Sequence, residues 1–247
     1  MNCLILAAGY ATRLYPLTEN MPKPLLKVKE KTILDWLIDD IESSGEVERY
    51  VVVSNSKFAT HFYDWASKHT YSDKIVIVDD GTTSNETRLG AVVDILFAIK
   101  ELDLNGDLMV IAGDNVLDFS LCHFIKYYKS KNTSCIMRYF EPSVEKCKKS
   151  GVITFGENDV ITSMEEKPEN PKSNWLAPPF YIYTPKDIQT IEDALNDGCE
   201  KDAPGSFAAY LSQKTGVCAM EMPGKRYDIG NIESYTEVKN TYMGIIK

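Results

Sequence analysis

The sequence lacks the features of a membrane-bound or exported protein. No apolar run approaches the ~18–20 residues that a membrane span requires, and no basic region precedes the short apolar run at residues 3–8. Its six cysteines include no C-x-x-C pair, and none has a histidine at metal-ligand spacing. Scattered thiols of this kind are typical of a reducing compartment. We therefore expect a cytoplasmic protein without a membrane partner.

Positive charge is in deficit. The chain has 27 Lys+Arg against 36 Asp+Glu, so its formal net charge is -9, and its pI is about 5.0. A general affinity for polyanions requires the opposite balance, so we expect no nucleic-acid partner. Any phosphate that this protein binds must be held by a few placed cations.

Two common phosphate-binding fingerprints are missing. The dinucleotide pattern G-x-G-x-x-G fails because residues 9–14 have glycine only at the first position, and the P-loop fails because Gly-Lys-Ser/Thr occurs nowhere. The missing glycines disfavour an NAD-dependent oxidoreductase. A phosphate site in this chain has to be built in another way.

Short apolar segments alternate with helical patterns along the first half of the chain. The segments that we predict as strands are 2–8, 50–53, 75–78 and 108–112, and the helices between them are 33–41, 58–68 and 89–99. Such alternation implies crossover connections and parallel pairing. We expect an α/β fold with a Rossmann-like doubly wound, mainly parallel sheet and helices on both faces. Ligands of such sheets lie at the carboxyl ends of the strands.

The second half of the chain is richer in strands. We predict helices at 122–128, 188–195 and 232–246, the last capped by Asn231, and strands at 134–139, 151–155 and 175–183. The sequence contains no repeat and no low-complexity linker. A chain of 27.8 kDa can form one large core. We therefore expect a single domain over 1–247, with a β-rich elaboration in its second half.

A loop with small residues and prolines follows the first predicted strand. Small residues let backbone N–H groups approach phosphate oxygens, and this loop adds the cations Arg13 and Lys23. Pro22 and Pro24 fix the chain on both sides of the lysine. The arrangement suits a triphosphate whose charge must be offset from more than one side; the alternative is an ordinary loop with surface cations.

Several motifs together give this loop a family resemblance. L-A-A-G-Y-A-T-R-L at 6–14, P-L-T at 16–18 and P-K-P-L at 22–25 resemble the signature of the sugar-1-phosphate nucleotidyltransferases. Further matches, in the family's order, are T-R-L-G-A at 87–91, G-D-N at 113–115, E-E-K-P at 165–168 and Y-D-I-G at 227–230. The chain looks like a glucose-1-phosphate thymidylyltransferase or another NDP-sugar pyrophosphorylase. We expect the short form, without a C-terminal β-helix domain.

The resemblance implies a set of catalytic and nucleotide-binding residues. Arg13 would hold the pyrophosphate portion, Lys23 would stabilise charge at the α-phosphate, and Asp114 and Asp228 would hold Mg²⁺, a cation that prefers carboxylate and phosphate oxygens. The implied nucleotide-binding residues are Leu6, Ala8, Gly9, Thr12, Arg13, Lys23, Thr87, Gly90 and Asp114. The alternatives are a loop aspartate in an Asx-turn for Asp114 and a helix cap for Asp228.

The resemblance also implies an acceptor site. Lys167 would grip the acceptor phosphate and Glu166 would accept hydrogen bonds from hydroxyls; the alternative for both is a solvated charged hairpin. The other implied acceptor residues are Gly151, Tyr181 and Arg226. Two departures bear on this site. Pro179 stands where many members use a glycine, so a backbone donor is missing, and Arg226 stands near a position where the family has tryptophan.

These observations predict a Mg²⁺-dependent nucleotidyltransferase. Its partners would be a nucleoside triphosphate, with dTTP, UTP or CTP favoured, and a sugar 1-phosphate, and pyrophosphate would leave. Because of the departures at Pro179 and Arg226, a cytidylyltransferase acting on a non-sugar phosphate or phosphonate stays open. A non-catalytic nucleotide-binding sensor of the same fold is a further alternative. The sequence is compatible with an oligomer.

Overall fold

The computed structural model describes residues 1–246, which divide into two compact units. Unit 1 comprises residues 1–89, 112–123 and the described chain from 223 onward, and unit 2 comprises 90–111 and 124–222. Each unit is therefore assembled from separate stretches of chain. The expectation of a single domain over 1–247 stays a prediction.

The strands, in chain order, are β1 (Asn2–Leu6), β2 (Lys27–Val28), β3 (Lys31–Thr32), β4 (Arg49–Ser54), β5 (Ile75–Asp79), β6 (Leu108–Ala112), β7 (Val116–Leu117), β8 (Cys135–Phe140), β9 (Gly151–Phe155), β10 (Ile161–Glu166), β11 (Trp175–Leu176), β12 (Phe180–Tyr183), β13 (Cys218–Glu221) and β14 (Arg226–Tyr227). The α-helices are α1 (Ile33–Glu42), α2 (Ala59–Ala66), α3 (Ala91–Leu102), α4 (Cys122–Lys131), α5 (Val144–Cys147), α6 (Pro185–Ile188), α7 (Ile191–Asn196), α8 (Gly205–Ser212) and α9 (Ile232–Thr241). Short 3₁₀ helices occupy Thr12–Leu14, Lys23–Leu25 and Glu157–Asp159. Within the described residues, no helix is long and apolar enough to cross a membrane.

Unit 1 is built on three parallel strands. β4 pairs in parallel with β1 on one side and with β5 on the other. Its residues 50–53 are all fully buried, which explains why the strand is a continuous apolar run instead of an alternating one. The helix α1 begins at a capping box, in which Thr32 and Asp35 exchange side-chain and backbone hydrogen bonds. Asp35 also accepts the indole N–H of Trp65 at 2.8 Å, and this bond ties α2 to α1.

Unit 2 is mainly antiparallel. Its strands follow the order β10-β9-β11-β8-β12-β6, and each neighbouring pair is antiparallel. β13 pairs with β8 in parallel. The α/β fold and the β-rich elaboration in the second half, both expected from the sequence, are confirmed.

Three predicted helix boundaries need correction. The helix predicted at 89–99 begins at Ala91, because Gly90 has φ 98°, a left-handed value outside the helical region. The segment 188–195 forms parts of two short helices, α6 and α7, instead of one. The last helix ends at Thr241 and not at residue 246. Beyond it Gly244 has φ 100°, outside the helical region, and Ile246 forms a parallel bridge with Phe119.

The hydroxyl of Tyr242 anchors the chain that follows α9. It donates to the Leu117 carbonyl at 2.7 Å, and the ring is fully buried with its edge against Trp36. Tyr242→Phe removes one buried hydrogen bond while keeping the ring packing. We expect the free energy of unfolding to fall by about 1 kcal/mol, as measured by urea denaturation. Tyr63→Phe, at a ring that is half exposed, is the matched control and should cost less; equal losses would contradict the anchor.

Candidate active site

The loop that follows β1 is held at several points. Ala7 donates its backbone N–H to Val53 at 2.8 Å, and the side-chain amide of Asn55 donates to the Ala8 carbonyl at 2.8 Å. Ala11 has φ 47° in the left-handed region, and its carbonyl accepts the Thr18 hydroxyl at 2.8 Å. A Cβ on Gly9 would meet nothing within 4 Å. The loop is therefore fixed on its protein side and open beside Gly9.

The two cations expected in this loop lie in different surroundings. Arg13 lies in the first 3₁₀ helix, is exposed, and forms no ion pair with any residue of the described chain. Lys23 begins the second 3₁₀ helix, directly after the extended Pro22 and before Pro24 of the same helix, and it is only 9% exposed. The prolines thus fix the backbone on both sides of a buried ammonium group. Arg13 is available to a ligand, whereas Lys23 needs a partner in the protein.

That partner is Asp114. Lys23 Nζ lies 2.6 Å from Asp114 Oδ2, and the Asp114 side chain is 43% exposed. The turn that carries Asp114 begins at Gly113, which donates to the Leu6 carbonyl at 2.9 Å. A Cβ on Gly113 would sit 2.9 Å from a methyl group of Ile5, so the close approach requires glycine. The structure brings together the lysine and the aspartate that the motifs single out.

The alternative of an Asx-turn at Asp114 is not what the structure shows. The side chain that closes this turn is the neighbouring Asn115, whose Nδ2 donates to the Ala112 carbonyl at 2.7 Å. Asp114 Oδ2 is directed to Lys23 instead. Local turn chemistry therefore does not account for the carboxylate of Asp114.

The C-terminal part of unit 1 returns to this turn. β14 pairs antiparallel with β7, with Arg226 opposite Leu117 and Tyr227 opposite Val116. Asp228 follows the last paired residue of β14, and Asn115 precedes the first paired residue of β7. Arg226 also reaches the turn, since its Nη1 donates to Asn115 Oδ1 at 3.1 Å.

Asp228 does not cap α9, because another residue holds the cap position. Asn231 caps α9, and its side chain and that of Ser234 form a capping box. The expected cap at Asn231 is thereby confirmed.

Within the described residues, no group of three or more His, Cys, Asp and Glu side chains is suited to hold a metal. A metal at this edge would thus have two protein carboxylates at most and would need phosphate oxygens to complete its coordination.

In unit 2, the hairpin of β9 and β10 positions Glu166 and Lys167. Gly151 pairs with Glu166, and a Cβ on Gly151 would sit 3.0 Å from Glu166 Oε2. Lys167 has φ 46°, and its Nζ lies 3.9 Å from Glu166 Oε1. Burial raises the pKa of Glu166, the charge of Lys167 lowers it, and the charge of Glu200 raises it. Glu166 is therefore partly buried beside Gly151, whereas the side chain of Lys167 is largely exposed to solvent.

Glu200 is a residue that the motifs do not indicate. Its oxygens accept the backbone N–H groups of Asp202 and Ala203 and the Ser206 hydroxyl, each at 3.0 Å. Burial acts to raise the pKa of Glu200, but these three hydrogen bonds outweigh it and lower the pKa. Glu200 has no sequence signal of its own, because its proximity to Glu166 arises only from the fold.

Three further predicted residues have clear local surroundings. Thr87 exchanges hydrogen bonds with Ser84, its Oγ1 accepting the Ser84 N–H at 3.2 Å and donating to the Ser84 carbonyl at 3.0 Å. A Cβ on Gly90 would sit 2.7 Å from the Lys201 carbonyl oxygen. Tyr181, the remaining acceptor residue, is buried and stacks on Tyr183 with ring centroids 5.8 Å apart. The ligand-binding roles of all three stay predictions.

Comparison with known proteins bears on what this arrangement does. A family model described as nucleotidyl transferase matches residues 2–244. The UTP–glucose-1-phosphate uridylyltransferase AglF of Haloferax volcanii is 27% identical, over 97% of this chain and 95% of the relative. The bifunctional protein GlmU of Methanococcus vannielii is 31% identical, over 98% of this chain but 55% of the relative. The chain thus spans nearly the whole of one relative and about half of the other.

A solved structure supports the fold. UDP-glucose pyrophosphorylase in complex with UDP-glucose superposes with a TM-score of 0.82 at 22% sequence identity, over 98% of this chain and 97% of that one. The resemblance inferred from the motifs is confirmed by the family model, and the fold by this superposition.

The two carboxylates in unit 2 generate a prediction about charge. In the wild type we expect the Glu166 pKa to lie above its ordinary value of 4.5. Glu200→Gln should lower it, because a neighbouring negative charge is removed, but burial should still keep it above the ordinary value. NMR titration of the glutamate side-chain carbons measures this pKa. The control is Glu165→Gln, at an exposed carboxylate paired with Lys172; an equal shift in the control would contradict the specific coupling.

Proposed function

The chain belongs to the nucleotidyl transferase family, and we propose that it couples a pyrimidine nucleoside triphosphate to a sugar 1-phosphate. An oxygen of the acceptor phosphate forms a bond to the α-phosphorus, the bond to the bridging oxygen breaks, and pyrophosphate leaves. The observation that carries the proposal is the Lys23–Asp114 ion pair beside the open loop at Gly9. The uridylyltransferase name of the Haloferax relative supports the nucleotide and acceptor classes.

The cations of unit 1 have distinct tasks in this proposal. Both reactants are anions, so the protein has to position them and offset their charge, without a nucleophile of its own. Arg13, which has no ion-pair partner in the described chain, binds the pyrophosphate portion. Lys23 is held in place by Asp114 and stabilises the charge that develops at the α-phosphate. Backbone N–H groups of the loop from Leu6 to Thr12 cradle the nucleotide.

The proposed cofactor is Mg²⁺. Asp114 and Asp228 would hold it: Asp228 follows β14, which pairs with β7 just after the Asp114 turn, and Lys23 engages only the Oδ2 atom of Asp114. When bound, the cation would offset phosphate charge and orient the reacting oxygens. The donor set fits a hard cation that takes oxygen ligands and keeps several waters.

The acceptor is proposed to bind at the residues of unit 2. The carboxylate of Glu166 accepts hydrogen bonds from sugar hydroxyls, and Lys167 Nζ, which is largely exposed, binds the acceptor phosphate. A Cβ on Gly151 would sit 3.0 Å from Glu166 Oε2, so glycine at this position leaves room for that carboxylate. Pro179 offers no N–H, so a sugar must be held by side chains to a larger extent than in members with glycine at this place.

A second acceptor class has an observation in its favour. Arg226 is fixed on the turn of Asp114 by its bond to Asn115, which adds a cation beside the proposed metal site. An acceptor with more negative charge, such as a non-sugar phosphate or a phosphonate, would bind more tightly beside this cation.

We further propose that the enzyme acts in the cytoplasm, since all six cysteines are free thiols. We also propose that it acts without nucleic-acid or membrane partners.

The proposal is tested by pyrophosphate release with Mg²⁺. Each of CTP, UTP, dTTP, ATP and GTP is offered with a panel of sugar 1-phosphates and, separately, with phosphocholine and phosphonates. We expect release that requires one pyrimidine triphosphate and one acceptor together. Pyrophosphate release with a phosphonate, and with none of the sugar 1-phosphates, would support the second acceptor class. Nucleotide binding with no release from any pair would favour a non-catalytic sensor and contradict the proposal.

The metal pair makes a sharper prediction. Asp114→Asn and Asp228→Asn should each lower kcat by at least about 100-fold, because each removes a carboxylate that would hold the Mg²⁺ whose charge offsets that of the reacting phosphates. Both variants should keep the circular dichroism of a folded protein; Asp228→Asn should also keep the melting temperature of the wild type, whereas Asp114→Asn should melt lower because the buried Lys23 loses its charged partner. Asp73→Asn, at an exposed aspartate of unit 1, is the matched control and should turn over normally. A near-normal rate in either variant would remove that aspartate from the metal site.

A further inference from the structure

Unit 1 contains a buried acceptor without a donor. Asp80 follows β5 directly and is only 8% exposed. Its Oδ1 accepts the backbone N–H of Thr82 at 2.7 Å, whereas its Oδ2 has no hydrogen-bond partner among the described residues. A buried acceptor left without a donor destabilises the folded state. Folding alone does not explain why this carboxylate is kept.

The surroundings of Asp80 are negative. The hydroxyl of Tyr10 lies 3.4 Å from Thr82 Oγ1. Burial raises the Tyr10 pKa, and the charges that raise it further are those of Asp80, Glu86 and Asp79. Such surroundings favour a ligand that presents N–H groups and disfavour one that presents a carbonyl oxygen.

Asp80 lies at the edge of the strands that also carries the phosphate loop. Tyr10 is the neighbour of Gly9 in that loop, and β5 is two strands from β1, about 10 Å away. Both positions are at the carboxyl ends of parallel strands, where such sheets bind ligands. A nucleotide with its phosphates at Arg13 and Lys23 can therefore place its base toward Tyr10 and Asp80.

We propose that Asp80 Oδ2 accepts a hydrogen bond from the exocyclic amino group of the nucleobase, so that the enzyme prefers CTP to UTP and dTTP. This inference rests on the proposed function. Cytosine presents the N4 amino donor where uracil and thymine present the O4 acceptor. A carboxylate oxygen cannot donate to that O4 and would repel it. The Oδ2 atom of Asp80, which lacks a donor among the described residues, and the negative charges around it therefore both favour cytosine.

The test compares CTP with UTP in the wild type and in Asp80→Asn. The asparagine can keep its Oδ1 on the Thr82 N–H and place an NH₂ donor where Oδ2 stood. We expect the wild type to have the higher kcat/KM with CTP. In Asp80→Asn the ratio of kcat/KM for CTP to that for UTP should fall by about 10- to 100-fold.

Asp79→Asn is the matched control. It removes the same charge from the adjacent residue, whose oxygens already accept the Ser56 hydroxyl and the Gly81 N–H. The CTP-to-UTP ratio should stay close to that of the wild type. If the control shifts the ratio as much as Asp80→Asn does, the negative charge of this region, and not a hydrogen bond to Asp80, selects the base. That result would overturn the inference.

Three other outcomes overturn the inference. The first is a wild type that prefers UTP or dTTP, and the second is an Asp80→Asn variant that loses CTP and UTP turnover equally. If the wild type releases no pyrophosphate at all, the proposed transfer reaction fails, and base preference is then measured as equilibrium binding of CTP and UTP. Equal binding of both by the wild type is the third outcome.

Discussion

The ion pair of Lys23 with Asp114 is the constraint around which unit 1 is arranged. An ammonium group that is nine-tenths buried requires a charged partner, and this one lies 2.6 Å away. Two prolines flank Lys23 in the chain. The Asp114 turn packs against β1 at Gly113, where a Cβ would sit 2.9 Å from a methyl group of Ile5. Asp114 remains partly exposed, so the pair is fixed on one side and accessible on the other. That combination suits a binding site more than a core contact.

The loop at Gly9 shows the same division between a fixed side and an open side. Asn55 and Thr18 hold its carbonyls at Ala8 and Ala11, while the space beside Gly9 stays empty. Holding the loop in advance reduces the entropy that a ligand loses on binding. Rigid support under an open backbone is what an anionic ligand needs, because the donors are already oriented when it arrives.

In unit 2, two glutamates in contrasting environments are brought near each other. The pKa of Glu166 is raised by burial, whereas three hydrogen bonds keep Glu200 ionised by lowering its pKa. The second carboxylate is occupied in holding the start of α8 through its bond from Ser206. The environment, not the residue type, gives the two glutamates different tasks.

The sequence by itself determined the alternation of strands and helices, the cap at Asn231 and the motifs of the phosphate loop, because these are local in the chain. Apolar runs, capping side chains and prolines act within a few residues of their position. Only the tertiary structure decided which distant groups meet. The pairing of Lys23 with Asp114, the pairing of β14 with β7 and the charge of Glu200 near Glu166 all depend on residues far apart in sequence. So does the oxygen of Asp80 that has no hydrogen-bond partner among the described residues. The end of α9 belongs to this class as well, because the buried hydroxyl of Tyr242 and the bridge of Ile246 to Phe119 override a helical pattern that continues beyond Thr241.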